Sequence, residues 1–160
     1  MNHTPFIRQT LQLAQEAVDR GDHPFGALLA KDNQVLLTAH NAIYTSKDVT
    51  AHAELRLVRK AYGRYDAAFL ADCILYTSTE PCAMCTGAIV WAGIGHIVYS
   101  CSAALLGEIT QLGRFVVPSR DLLTYARWPP EVSGPVLEEE SAAIHRAYWP
   151  TLGREKNGRI

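Results

Sequence analysis

Apolar and polar positions along this chain follow two rhythms. Phe6, Ile7, Leu11, Ala14, Ala17 and Val18 recur at helical spacing, with Gly21 as the stop. Gly26–Lys31 and Val35–His40 read as strands on either side of a turn at Asp32 and Asn33. Thr50 is the expected N-cap of a helix to about Tyr62, with Leu55, Val58 and Ala61 turned inward. Cys73–Thr77 is a short apolar strand. Pro81 is expected in the first turn of a helix to about Ala92, and Ile94–Ser100 is another strand. Residues 103–124 carry helical fragments without a clear frame. A strand near Val132–Leu137 and a helix over Glu138–Trp149 close the chain. Alternating strands and helices predict an α/β sandwich with helices on both faces of a mixed sheet.

Length and composition narrow the class. The 160 residues suit a single domain over 1–160, and 48% hydrophobic with 19% charged residues is ordinary globular composition. A net charge of −1 supplies no positive field to hold a polyanion, which argues against nucleic acid as partner. The start lacks a charged segment followed by a long apolar one, and the most apolar stretch, Gly87–Ile94, is too short to span a bilayer. The expected location is therefore the cytoplasm, with no membrane contact. In that reducing setting four cysteines are ligands or core residues rather than a disulfide framework. Cys73 and Cys101 stand alone in strand-like runs and are expected as buried small hydrophobes.

The chemistry concentrates in His52-Ala53-Glu54 and, twenty-six residues later, Pro81-Cys82-Ala83-Met84-Cys85. With His52 in the first turn of one helix and Cys82 and Cys85 in the first turn of another, one imidazole and two sulfurs can reach one ion. Helix N-termini carry partial positive charge, which favours thiolate over thiol. Three protein ligands with a fourth position left for water is the catalytic pattern for zinc, not the structural one. Glu54 beside that position can take a proton from the activated water, pass it to a ring nitrogen and later protonate a departing amine. A lone Cys-x-x-Cys also occurs in redox motifs and closed zinc knots. A knot needs a fourth protein ligand, and neither Cys73 nor Cys101 has a partner at short spacing. A redox motif leaves His52, Glu54 and Pro81 unexplained.

On these residues the chain resembles the cytidine deaminase-like zinc deaminases, in the branch holding guanine, cytosine and tRNA adenosine deaminases. The resemblance covers about Leu11 to Ser100. It implies a three-layer αβα sandwich around a five-stranded mixed sheet, a homodimer, and hydrolytic deamination of a free nucleobase or nucleoside, guanine-type purine first. A tRNA adenosine deaminase and a cytosine or other amino-heterocycle deaminase are the alternatives. Pro24-Phe25-Gly26-Ala27 resembles the Pro-Phe-Gly-Ala of bacterial guanine deaminases, where the aromatic lines the base pocket. Asn41 matches an asparagine that holds the base, and Trp91 a tryptophan that packs on guanine; Ala53 completes the implied substrate-binding set. Read without the resemblance, Phe25 and Trp91 are equally core aromatics, and Asn41 equally a residue that satisfies backbone at a strand end.

Two departures bear on the substrate. Some guanine deaminases use an additional acid, whose place falls near Gly113, and a tyrosine at the chain end, which here reads Gly158-Arg159-Ile160. Glu108 is the nearest carboxylate and equally a solvated helix residue. Gly134–Glu140 reads more like the last strand and helix of the adenosine and cytosine deaminases. Meanwhile Cys101–Gly107 lacks the positive residues a tRNA enzyme carries there. His23, His40, His96 and His145 lack ligand spacing to a cysteine pair and are expected as structural or surface residues, with His23 and His40 nearest the pocket. The charged tail Arg154–Arg159 is expected as solvated surface.

Overall fold

The computed structural model describes residues 2–111 and 116–152, the side chain of Leu152 excepted. Helix α1 (Thr4–Asp19) leads into the hairpin β1 (Gly26–Lys31) and β2 (Gln34–His40), then α2 (Ile43–Ser46), α3 (Ala53–Tyr62) and α4 (Ala67–Ala71). Strand β3 (Ile74–Thr79), α5 (Ala83–Ala92) and β4 (His96–Cys101) form a crossover unit. Beyond it lie α6 (Ala103–Thr110), α7 (Ser119–Leu123), β5 (Glu131–Ser133), α8 (Glu138–Tyr148) and a 3-10 turn over Trp149–Leu152. The sheet order is β2-β1-β3-β4-β5. β1 runs antiparallel to both neighbours, whereas β3, β4 and β5 are parallel. This is the expected five-stranded mixed sheet.

Strand alternation distributes the core between two layers, because successive side chains point to opposite faces. Ala27, Leu29, Leu75 and Ile97 join Leu57, Val58 and Ala61 of α3 and Ile89 and Ala92 of α5. Leu28, Ala30, Tyr76 and Val98 join Ile7 and Leu13 of α1. Gly26 is where α1 comes closest: a Cβ there would collide with the Thr10 carbonyl and with Leu13. The hairpin turn places Asp32 and Asn33 at positive φ, 50° and 61°, as a tight two-residue connection requires.

Several boundaries differ from those the pattern predicts. Thr50 does not cap α3; its N–H and hydroxyl go to the Asp48 carboxylate, and His52 is the N-cap. Leu55 is half-buried, and Leu57 takes the core position instead. Pro81 lies two residues before α5, just ahead of its N-cap Cys82. β5 stops at Ser133, since Pro135 has no N–H to extend a ladder. The short helices α2 and α4 carry too little periodicity to be seen in sequence. The place near Gly113, the chain end at 158–160 and the tail Arg154–Arg159 lie outside the described residues. No helix among the described residues is long and apolar enough to cross a membrane.

Candidate active site

Because β1 runs against its neighbours, its N-terminal end sits beside the C-terminal ends of β2 and β3, and every candidate residue except Trp91 and Glu108 gathers at that rim. Gly26 pairs with His40, and Ala27 pairs with both Ala39 and Thr77. Asn41 and His52 follow β2, while Glu80 and Cys82 follow β3. His52 and Cys82 are N-caps in extended conformation, and neither side chain caps its own helix. Their donors are turned toward each other instead. His52 Nδ1 lies 3.7 Å from Cys82 Sγ and 3.6 Å from Cys85 Sγ, and the sulfurs are 3.6 Å apart. A tetrahedral zinc at ordinary bond lengths sets such edges at about 3.5–3.8 Å. The donor set and its spacing fit that ion. Among the described residues this is the one group of metal-ligating side chains drawn together in this way.

The electrostatics agree. A hydrogen bond from Cys85 lowers Cys82 to about 4 against the cost of burial, with His52 adding to the effect. Cys85 rises well above its usual value, because it bonds to Cys82 and lies buried beside Glu54. Burial works against a charged His52 ring, but Cys82 and Glu54 outweigh it and raise the imidazole. Cys82 is thus the sulfur that most readily carries negative charge, the form that binds a cation.

Glu54 begins α3 and is only 4% exposed. Burial raises its carboxyl above the usual range. Oε1 accepts a 2.7 Å bond from the Thr77 hydroxyl, and Oε2 lies 3.5 Å from Cys85 Sγ. One oxygen is thus anchored to the sheet while the other faces the ligand cluster. Thr77 was missed in sequence, since a threonine in an apolar strand carries no local mark of a partner twenty-three residues away.

Asn41 is fully buried. Its Oδ1 accepts from Ile43 N–H at 3.1 Å, and its Nδ2 has no partner among the described residues. The amide nitrogen is therefore left with unused donor capacity in the interior. Asp22 holds the surrounding loop by accepting from the N–H groups of Tyr44 and Thr45 and from the Thr45 hydroxyl. Phe25 packs on His145 and Trp149, at ring separations of 5.4 and 6.2 Å, and Ala53 is buried between His52 and Glu54. Trp91 sits at the far end of α5 with 88% of its surface exposed, away from the cluster in this chain. Glu108 is exposed on α6. Cys73 and Cys101 are buried and unbonded to other cysteines, as expected of small core residues.

Another carboxylate at this rim escaped the sequence reading. Glu80 is buried and accepts from Ala103 N–H through one oxygen, and from both Ser119 N–H and the Ser119 hydroxyl through the other. It fastens the loop carrying Cys82 to the starts of α6 and α7.

Residues 1–101 match the model of the cytidine and deoxycytidylate deaminase zinc-binding region. The chain belongs to that deaminase family. As such it is a hydrolase that deaminates nucleobases or nucleosides by breaking a C–N bond. This deaminase is 41% identical over 152 residues to a probable cytosine deaminase of Schizosaccharomyces pombe, covering 90% of each chain. It is 46% identical over 101 residues to the guanine deaminase of Bacillus subtilis, covering 62% of this chain and 65% of that one. Among solved structures, a tRNA:A34 deaminase superposes with a TM-score of 0.70 at 30% identity, covering 88% of this deaminase and 99% of that chain.

Proposed function

We propose that this deaminase holds zinc through His52 Nδ1, Cys82 Sγ and Cys85 Sγ and removes the exocyclic amine of a free nucleobase, guanine first. The observation that carries the reading is the ligand triangle of 3.6–3.7 Å edges with a Glu54 oxygen 3.5 Å from one of its sulfurs. When bound, zinc supplies Lewis-acid activation of water, bringing its pKa to roughly 7. Glu54 moves the protons. Its Oε2 takes one from the attacking water, gives it to a ring nitrogen, and then returns a proton to the departing nitrogen. Oxygen is added at the amine-bearing carbon, the C–N bond breaks and ammonia leaves. Thr77 keeps Oε1 in place throughout, so the carboxyl does not rotate away.

Asn41 supports a base that carries a ring carbonyl. Its oxygen is engaged by Ile43, and its Nδ2–H groups ask for an acceptor. Guanine and cytosine both offer a carbonyl oxygen, and the cytosine deaminase and guanine deaminase relatives agree with that class. Cytosine is the second reading, favoured by the relative matched over 90% of both chains. Transfer RNA ranks lower, because the net charge of −1 and the uncharged stretch Cys101–Gly107 offer nothing to phosphates. A homodimer fits the exposed Trp91 on the helix that bears the cysteines, and free thiols suit the cytoplasm.

Zinc-loaded protein given guanine, guanosine, cytosine, cytidine, adenine and adenosine tests the assignment through ammonia release. Glu54→Gln should keep its zinc and lose about 10²–10⁴-fold in kcat. Turnover retained in that variant, or product formed on tRNA alone, would overturn the reading.

A further inference from the structure

Two buried side-chain nitrogens lack a hydrogen-bond partner among the described residues, and both lie at this rim: Asn41 Nδ2 and His23 Nε2. One residue joins them. Phe25 donates its N–H to the His23 carbonyl at 2.8 Å and accepts from Asn41 N–H through its own carbonyl at 2.9 Å. Leaving such a group unpaired in the interior is more destabilising than a typical hydrogen bond is stabilising, so each orphan atom calls for an explanation.

A structural histidine would be satisfied at both nitrogens, as His145 is by Thr79 and Trp149. His23 is satisfied at one. Its Nδ1 lies 3.1 Å from the Tyr148 hydroxyl. Tyr44 and Trp149, each with a ring centroid 4.9 Å away, and Phe25 at 6.4 Å wall it in. A phenylalanine would fill this aromatic nest and leave no nitrogen bare. The imidazole keeps the Tyr148 contact and leaves Nε2 available to a ligand. Burial holds the ring neutral, with its pKa lowered to about 4. A phenolic hydroxyl both donates and accepts, so the Tyr148 contact leaves either tautomer available. With the proton on Nδ1, Nε2 presents a lone pair.

We propose that His23 is a specificity-determining contact for the nucleobase: Nε2 accepts from a ring N–H while Asn41 Nδ2 donates to the neighbouring ring carbonyl. Together they read a lactam edge, the C(=O)–NH unit that guanine has and adenine lacks; cytosine carries the same unit in its amino-oxo form. The inference rests on the nucleobase reading above. Both nitrogens are buried in the free chain, so the contacts require the side chains around them, Trp149 beside His23 included, to give way on binding.

The test uses the full zinc-loaded chain as wild type, His23→Phe and His23→Gln, with kcat and KM measured for guanine, cytosine and adenine. The metal-free forms are melted alongside. One lost hydrogen bond predicts that His23→Phe lowers kcat/KM on the preferred lactam base by about tenfold or more, mainly through KM. Its preference over adenine should shrink, its zinc content should hold, and its metal-free melting temperature should equal or exceed that of wild type. His23→Gln, whose amide can still reach the edge, should recover part of the loss. Two results overturn the proposal: His23→Phe within about twofold of wild type with the same base ranking, or a metal-free His23→Phe chain that melts lower by about 5 °C or more. A wild-type enzyme silent on all three bases instead overturns the nucleobase reading itself.

Discussion

His145 shows how one side chain ties stability to pH. Its Nδ1 accepts from the Trp149 indole N–H, so its proton sits on Nε2 and goes to the Thr79 hydroxyl. A second proton would have to enter at Nδ1, against an N–H donor and in a buried place. Burial accordingly lowers the ring to about 4. In the unfolded chain a histidine titrates near 6.5. Between those values the unfolded chain binds the proton and the folded one does not, so stability is lost as pH falls through this window. For this one ring the loss approaches roughly 3 kcal/mol. Urea denaturation at pH 7, 6 and 5 should show it, and His145→Phe should flatten the decline even though it begins from a lower value at pH 7. His23, also lowered to about 4 by burial, adds to the same slope.

At the scale of elements, the periodic segments were legible and the joints between them were not. Helices α1, α3 and α5 and strands β1 to β4 follow runs of apolar spacing long enough to count. His52 and Cys82, the caps of α3 and α5, turn their side chains toward each other, and no local propensity encodes that. So His52 and Cys82 appear as caps although Thr50 and Pro81 carry the usual start signals. The cluster of His52, Cys82 and Cys85 with Glu54 beside it could be read because their spacing is a local motif. Thr77 and Glu80 could not, because their partners lie 23 to 39 residues away. Glu80 accepts three hydrogen bonds across α6 and α7, and Glu80→Ala should lower stability by about 2–4 kcal/mol in urea denaturation. Glu80→Gln should cost less, since its amide oxygen still accepts from one helix.

For the whole molecule, the metal and the fold should depend on each other. His52, Cys82 and Cys85 come from the starts of two helices separated in sequence by α4 and β3, so they meet only once the sheet is assembled, and an ion bound there would favour the folded chain. Stripping the ion with a strong chelator should abolish ammonia release and lower the melting temperature; added zinc should restore both. With free metal at about a hundred times its dissociation constant, linkage predicts about 2.7 kcal/mol of stabilisation. A melting temperature indifferent to chelation would mean that the cysteines hold no ion in the folded state.

The antiparallel placement of β1 has a practical corollary. It sends all the chemistry to one rim and leaves the hairpin at Asp32 and Asn33 on the other, a strand of six residues or about 20 Å away. Both residues are exposed. A dye, an affinity tag or an inserted peptide grafted into that turn would be shielded from the reacting groups by the sheet itself, giving engineers a handle on the protein that leaves catalysis alone.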